Sequence, residues 1–123
     1  MKRNLELIRC ILATTAEADS YYSAQRLRES GYSDHEILYH LYLLVNEGLI
    51  DANDVGEYRQ GGLKGTILGL TWRGQDYYEA MEDDRVWDKT ISTIEKSVGS
   101  VSFGVLKQAL EAVALSMITK AIK

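Results

Sequence analysis

The stretch YSDHEILYHLYLLVNEGLI, residues 32–50, decides how the rest of the chain is read. Ser33 or Asp34 can cap a helix N-terminus, its side-chain oxygen accepting a backbone N–H. Ile37, Leu41, Leu44 and Gly48 follow at helical spacing, with Leu38 and Val45 beside them, so one side of about four turns is apolar. Gly48, after Glu47, is placed to take the left-handed conformation that ends a helix. Leu49-Ile50 then begins an apolar run of strand type.

Upstream, residues 4–18 read as a helix. Leu5, Ile8, Ile11, Leu12 and Ala16 keep its period, Leu7 lies beside them, and Asn4 is a cap. Thr14-Thr15 weakens its last turn, and residues 17–20 are a polar linker. Ser23 caps a second helix of two turns, with Leu27 as its core residue and Ala24 small enough for close packing; Gly31 ends it. Downstream, residues 49–55 form an outgoing strand, Gln60-Gly61-Gly62 a hairpin tip, and residues 66–70 a return strand that Gly65 and Gly69 weaken.

Thr71 caps the next helix, lined by Tyr77, Tyr78 and Met81. A polar patch, residues 82–85, precedes Val86, Trp87, Ile91, Ile94 and Val98. One helix over 72–97 and two helices broken near residue 83 both fit, and Gly99 closes the segment. Ser100 or Ser102 caps a last helix. Phe103, Leu106, Leu110, Val113 and Met117 make one stripe, and Val105, Ala109, Ala112, Leu115, Ile118 and Ile122 widen it. Lys120 and Lys123 suit its C-terminal dipole end. So much apolar surface serves packing against the preceding helix or a homodimer seam through residues 103–122.

This order predicts a mainly α fold with a small β-hairpin: a winged helix-turn-helix over residues 1–80, then a helical extension, 81–123, as a dimerisation element. The 123 residues are 46% apolar, enough to bury a core. No apolar run approaches the ~18 residues that span a bilayer, so no membrane partner is expected. Glu6 and Arg9 interrupt the apolar positions after the basic start, which is therefore not a signal peptide. The single Cys10 excludes an intrachain disulfide and suits a reducing cytoplasm; its helical apolar setting reads as a buried, inert thiol. Repeats, low-complexity segments and proline are absent.

The net charge is −4, and residues 1–80 carry the whole excess, with 8 Lys and Arg against 12 Asp and Glu. Duplex DNA is held mainly by Lys and Arg on phosphates, so this balance opposes a DNA partner while the helix order favours one. With Ile37, Leu41 and Leu44 inward, residues 35, 36, 39, 40, 42, 43 and 46 face outward. His35, Tyr39, Tyr42 and Asn46 share one strip, and such side chains reach base edges or phosphates. The helix holds three acids and no Lys or Arg, so phosphate contacts fall to Arg26, Arg28, Arg59 and Lys64, helped by Lys2 and Arg3. The first expectation is therefore a small DNA-binding transcriptional regulator that uses the central helix and the wing; the alternative is a protein-interaction module on the same strip, because tyrosine is enriched and lysine depleted in interface cores.

Catalysis and cofactors are not expected. His35 and His40, five apart, do not share a helix face and complete no ligand spacing. Residues 61–65 lack the phosphate-loop pattern and the helix that follows it, and Asp83-Asp84 reads as a solvated helix face.

Several blocks together resemble a phage- and prophage-associated family of unknown function: MKR at 1–3, LIRCIL at 7–12, GYSDHEILYHL at 31–41, EGLI at 47–50, LTWRGQDYY at 70–78 with Val86-Trp87, and VSFGVL at 101–106. The resemblance runs over nearly the whole chain. It implies a winged-helix fold and a bacterial or phage cytoplasmic setting, and it transfers no functional residue. Residues 70–74, LTWRG, also look like the strand-to-helix joint after the wing in several winged-helix transcription regulators. There Gly74 lets the helix approach the strand closely.

Overall fold

A computed structural model of the protein describes residues 1–98 and 101–122; the expected roles of Gly99, Ser100 and Lys123 lie outside them. The chain divides into two compact units, Met1–Tyr78 and Glu79–Lys123. It is mainly helical, with a small antiparallel sheet. No helix among the described residues is long and apolar enough to cross a membrane.

In the first unit, helix α1 spans Leu5–Glu17, and the Asn4 side chain accepts from the Leu7 N–H. It buries Leu7, Ile8, Ile11 and Leu12. Each contributes roughly 1.5–3 kcal/mol on leaving water. Thr15 links the last turn to the sheet. Its hydroxyl lies 2.7 Å from the Ile11 carbonyl and 2.8 Å from the buried Tyr22 hydroxyl, tying α1 to strand β1, Tyr22–Ser23.

Residues 24–30 are a 3-10 helix, Ala24–Ser30, not two α turns. Ser23 caps it and Gly31 closes it at φ +85°. A segment this short gains little from α-helical bonding and tightens readily.

Helix α2 spans Asp34–Asn46. Ser33, not Asp34, is its cap, in a reciprocal capping box with Glu36. Ile37, Leu41 and Leu44 are fully buried. At the other end Gly48 adopts φ +73°, its N–H bonds the Val45 carbonyl, and the Leu49 N–H bonds the Leu44 carbonyl. This paired closure satisfies carbonyls that the helix end leaves open.

Strands β2, Ile50–Tyr58, and β3, Gly62–Leu70, extend further than the expected 49–55 and 66–70. Strand β1 pairs with the other side of β3. The expected two-stranded hairpin is therefore a three-stranded sheet ordered β1-β3-β2. The register of β2 on β3 slips twice, between Asp51 and Ala52 and between Asn53 and Gly56, with Asp54 at φ +53° inside the second irregularity.

Helix α3, Trp72–Met81, starts against the end of α2. Thr71 caps it: the Thr71 hydroxyl accepts from the Gly74 N–H at 2.9 Å and donates to the Gly48 carbonyl, and the Thr71 N–H donates to the Leu49 carbonyl. Gly74 is buried, and a Cβ there would overlap the Leu49 carbonyl, so close approach requires glycine at this position.

The helical run of residues 72–97 breaks before Asp84. Helix α4, Asp84–Ser97, is capped by Asp83, whose carboxylate accepts from the Arg85 and Val86 N–H groups. Helix α5, Phe103–Ile122, is capped by Ser102. In the second unit α4 and α5 pack together; Val86, Trp87, Thr90 and Ile94 of one and Phe103, Leu106 and Leu110 of the other are buried.

Candidate recognition surface

Of the expected binding residues, His35, Tyr39, Tyr42 and Asn46 lie on helix α2, Arg59 and Lys64 in the β2–β3 hairpin, and Arg26 and Arg28 on the 3-10 helix. The apolar anchors Ile37, Leu41 and Leu44 set the rotation of α2, so the strip between them faces out. Tyr42 and Asn46 are exposed, Tyr42 at 58%. Tyr39 is half-buried, its ring edge-on to His40 at 5.3 Å between centroids. His35 is exposed, with Nδ1 3.0 Å from Glu57 Oε1 on β2.

His40 departs from its expected outward position. It is 1% exposed. Its Nε2 accepts the Asn4 N–H at 2.7 Å, so its proton sits on Nδ1, 2.7 Å from the Glu36 carbonyl. The imidazole thus satisfies a free N–H at the start of α1. It joins the two helices and is not available to a partner.

The cations are largely engaged within the fold. Arg28 binds Asp34 through two hydrogen bonds of 3.0 and 2.9 Å and also donates to the Gly61 carbonyl at 2.9 Å. The Arg28 guanidinium holds the Asp34 carboxyl below the ordinary carboxylate range, and the Leu63 N–H adds to this by donating to Asp34 at 3.1 Å. A Cβ on Gly62, at φ +70°, would overlap both Arg28 and Asp34. The hairpin tip is therefore fastened to the start of α2. Arg73 donates to the Glu47 carbonyl and pairs with its carboxylate at 3.6 Å, placing a cation at the negative end of α2.

Lys64 rests 4.9 Å above the Tyr58 ring and Arg26 5.5 Å above the Tyr22 ring. Arg59 is exposed at the tip and has no ion-pair partner among the described residues. Sequence spacing placed these cations near a partner, but it carried no sign of the bonds that occupy Arg28.

Two features escaped the sequence reading. Val45 is 39% exposed, and with Leu41, Tyr42, Ala52 and Val55 it lines an apolar groove of about 130 Å³ between α2 and β2. Asp51 and Asp54 stand exposed on β2 with no ion-pair partner among the described residues. The signal in the sequence is that residues 34–58 contain six Asp and Glu and no Lys or Arg. No group of three or more His, Cys, Asp or Glu is arranged to hold a metal ion among the described residues. Cys10 is half-buried, not fully buried as expected.

Residues 2–101 match the family model DUF2513, described as a hypothetical protein, and the chain belongs to this family. A protein of Haemophilus influenzae (strain ATCC 51907 / DSM 11121 / KW20 / Rd), named only as uncharacterized, is 30% identical over 120 residues, covering 96% of this chain and 99% of its own. No solved structure matches.

Proposed function

We propose that residues 1–80 are a winged helix-turn-helix with α2 in the recognition position and the β2–β3 hairpin as wing. The chain acts as a small phage- or prophage-type regulator in the bacterial cytoplasm, binds its partner and catalyses no reaction. The element order helix, short strand, helix, helix, hairpin supports this reading, as does the pairing of β1 with β3. The partner favoured is a protein. One observation carries that choice: α2 and β2 present carboxylates without Lys or Arg, and Arg28 and Arg73 are engaged internally. A duplex, with one negative charge per ~1.7 Å, is repelled by such a face.

Duplex DNA is the second reading. Asn46 exposed on α2 favours it, with Arg59 unpaired at the hairpin tip and Arg26 exposed over a tyrosine ring. Fluorescence anisotropy with genomic fragments at low salt separates the two. The protein reading expects no saturable binding, together with nuclease-insensitive capture of a protein from bacterial lysate. Saturable binding whose log–log salt slope falls by about two in Arg59→Ala/Lys64→Ala would establish DNA instead.

Self-association through residues 103–122 belongs to the same proposal, with a change of face. Leu110 is buried, whereas Leu115, Ile118 and Ile122 form an exposed stripe, 56–81% accessible.

A further inference from the structure

We propose that the groove between α2 and β2 docks a cationic segment of a partner protein, which inserts one apolar side chain among Leu41, Tyr42, Val45, Ala52 and Val55. The inference rests on the protein-binding reading above and states the partner's chemistry.

The groove is open and its walls are apolar. Its volume of about 130 Å³ is close to the ~150 Å³ that accommodates a benzene, which is the size of one leucine or phenylalanine side chain. Tyr42 and Val45 stay partly exposed there, and one inserted group would cover both.

The charge around the groove selects the segment. Residues 34–58, which supply both walls, hold six Asp and Glu and no Lys or Arg, and among them Asp51 and Asp54, next in sequence to Ala52 and Val55, are exposed with no ion-pair partner among the described residues. Glu57 faces His35, and neither α2 nor β2 carries a Lys or Arg. Of the cations on neighbouring elements, Lys64 over Tyr58 and Arg28 on Asp34 and Gly61 lie toward the hairpin tip, and Arg73 at the other end of α2 is paired with Glu47. A segment with Lys or Arg on either side of its apolar anchor therefore meets complementary charge. Strand addition is a poor alternative. Although β2 is the outer strand, its register slips twice and its exposed residues are acidic.

The test uses methyl-resolved NMR of the full chain with four probes: a flexible 12-residue Lys-rich peptide carrying a central Phe, the same peptide with Ala, a Glu-rich peptide with Phe, and a 20-base-pair duplex. The Lys/Phe peptide should shift the methyl signals of Leu41, Val45 and Val55 saturably. The Ala version should bind about tenfold more weakly, since it lacks the buried anchor. The Glu-rich peptide should leave the signals unmoved. Asp51→Asn/Asp54→Asn should weaken the Lys/Phe peptide about threefold at low salt, and added salt should reduce the difference; asparagine tolerates the backbone of Asp54.

Unmoved groove methyls, or equal binding of the Phe and Ala peptides, would overturn the inference and leave the protein reading standing. Saturable shifts of the Tyr39 and Asn46 backbone amides by the duplex, followed in a parallel amide spectrum, would overturn both.

Discussion

Replacing Gly74 with alanine should destabilise the first unit, although Gly→Ala inside a helix ordinarily stabilises. The ordinary gain is about 1 kcal/mol, from reduced backbone freedom in the unfolded chain and better helix propensity. Here the new Cβ would fall on the Leu49 carbonyl, well under the 3.0 Å that real Cβ contacts keep, with Leu49 Cα only 3.2 Å from it. Both obstacles are backbone, so no side-chain rotation relieves them. Helix α3 must withdraw from Leu49 by on the order of an ångström. That withdrawal strains or breaks the Thr71 N–H bond to Leu49 and the Thr71 hydroxyl bond to Gly48. Two hydrogen bonds at ~1 kcal/mol each and an overpacking penalty of about 1–3 kcal/mol exceed the propensity gain. The net loss should be about 2–4 kcal/mol, a large share of a small domain's stability. Urea unfolding followed by circular dichroism measures the loss. Amide exchange in α1 and α2 assigns it to the first unit, and fluorescence of the buried Trp87 in a Trp72→Phe background monitors the second. Asp76→Ala, at an exposed position of the same helix, is the control. A Gly74→Ala protein as stable as the parent, or more so, would refute the close-approach argument.

His40→Phe keeps the ring but leaves the Asn4 N–H without its acceptor. It should cost about 1–2 kcal/mol, with faster amide exchange in the first turn of α1 as the specific readout. Asp83, paired with Arg85 and accepting two backbone N–H groups, is held down to about 2, below its ordinary value of 3.8. Its contribution is therefore fully present above pH 4 and is lost as pH falls toward 2. Asp83→Ala should lower the thermal midpoint at pH 7 and shrink the difference from the parent at pH 2. Leu110→Asp buries a charge and should unfold the second unit. Leu115→Asp, on the exposed stripe, should leave circular dichroism unchanged and abolish concentration-dependent sedimentation; a parent that sediments as a monomer at high micromolar concentration would retire the dimer.

The rotation of α2 was legible in the chain itself. Ile37, Leu41 and Leu44 at helical spacing define the buried side, and Gly48 after Glu47 defines the end, because periodicity and backbone conformation are local properties. Thr71 as a cap was legible for the same reason, and Gly74 as a close-approach residue through the resemblance of residues 70–74 to the joint after the wing in other winged-helix proteins. The tertiary structure alone decided what those residues meet. Strand β1 has two residues and exists because β3 pairs with it. His40, expected outward, falls three residues after Ile37 and four before Leu44, at the edge of the buried side, and the start of α1 covers it. Arg28 looks like a cation awaiting phosphate until the fold returns Asp34 and Gly61 to it across six and 33 residues. Pairings of this kind depend on where distant backbone comes to rest. A one-dimensional pattern specifies which residues turn inward, and only the folded chain specifies which polar groups complete one another.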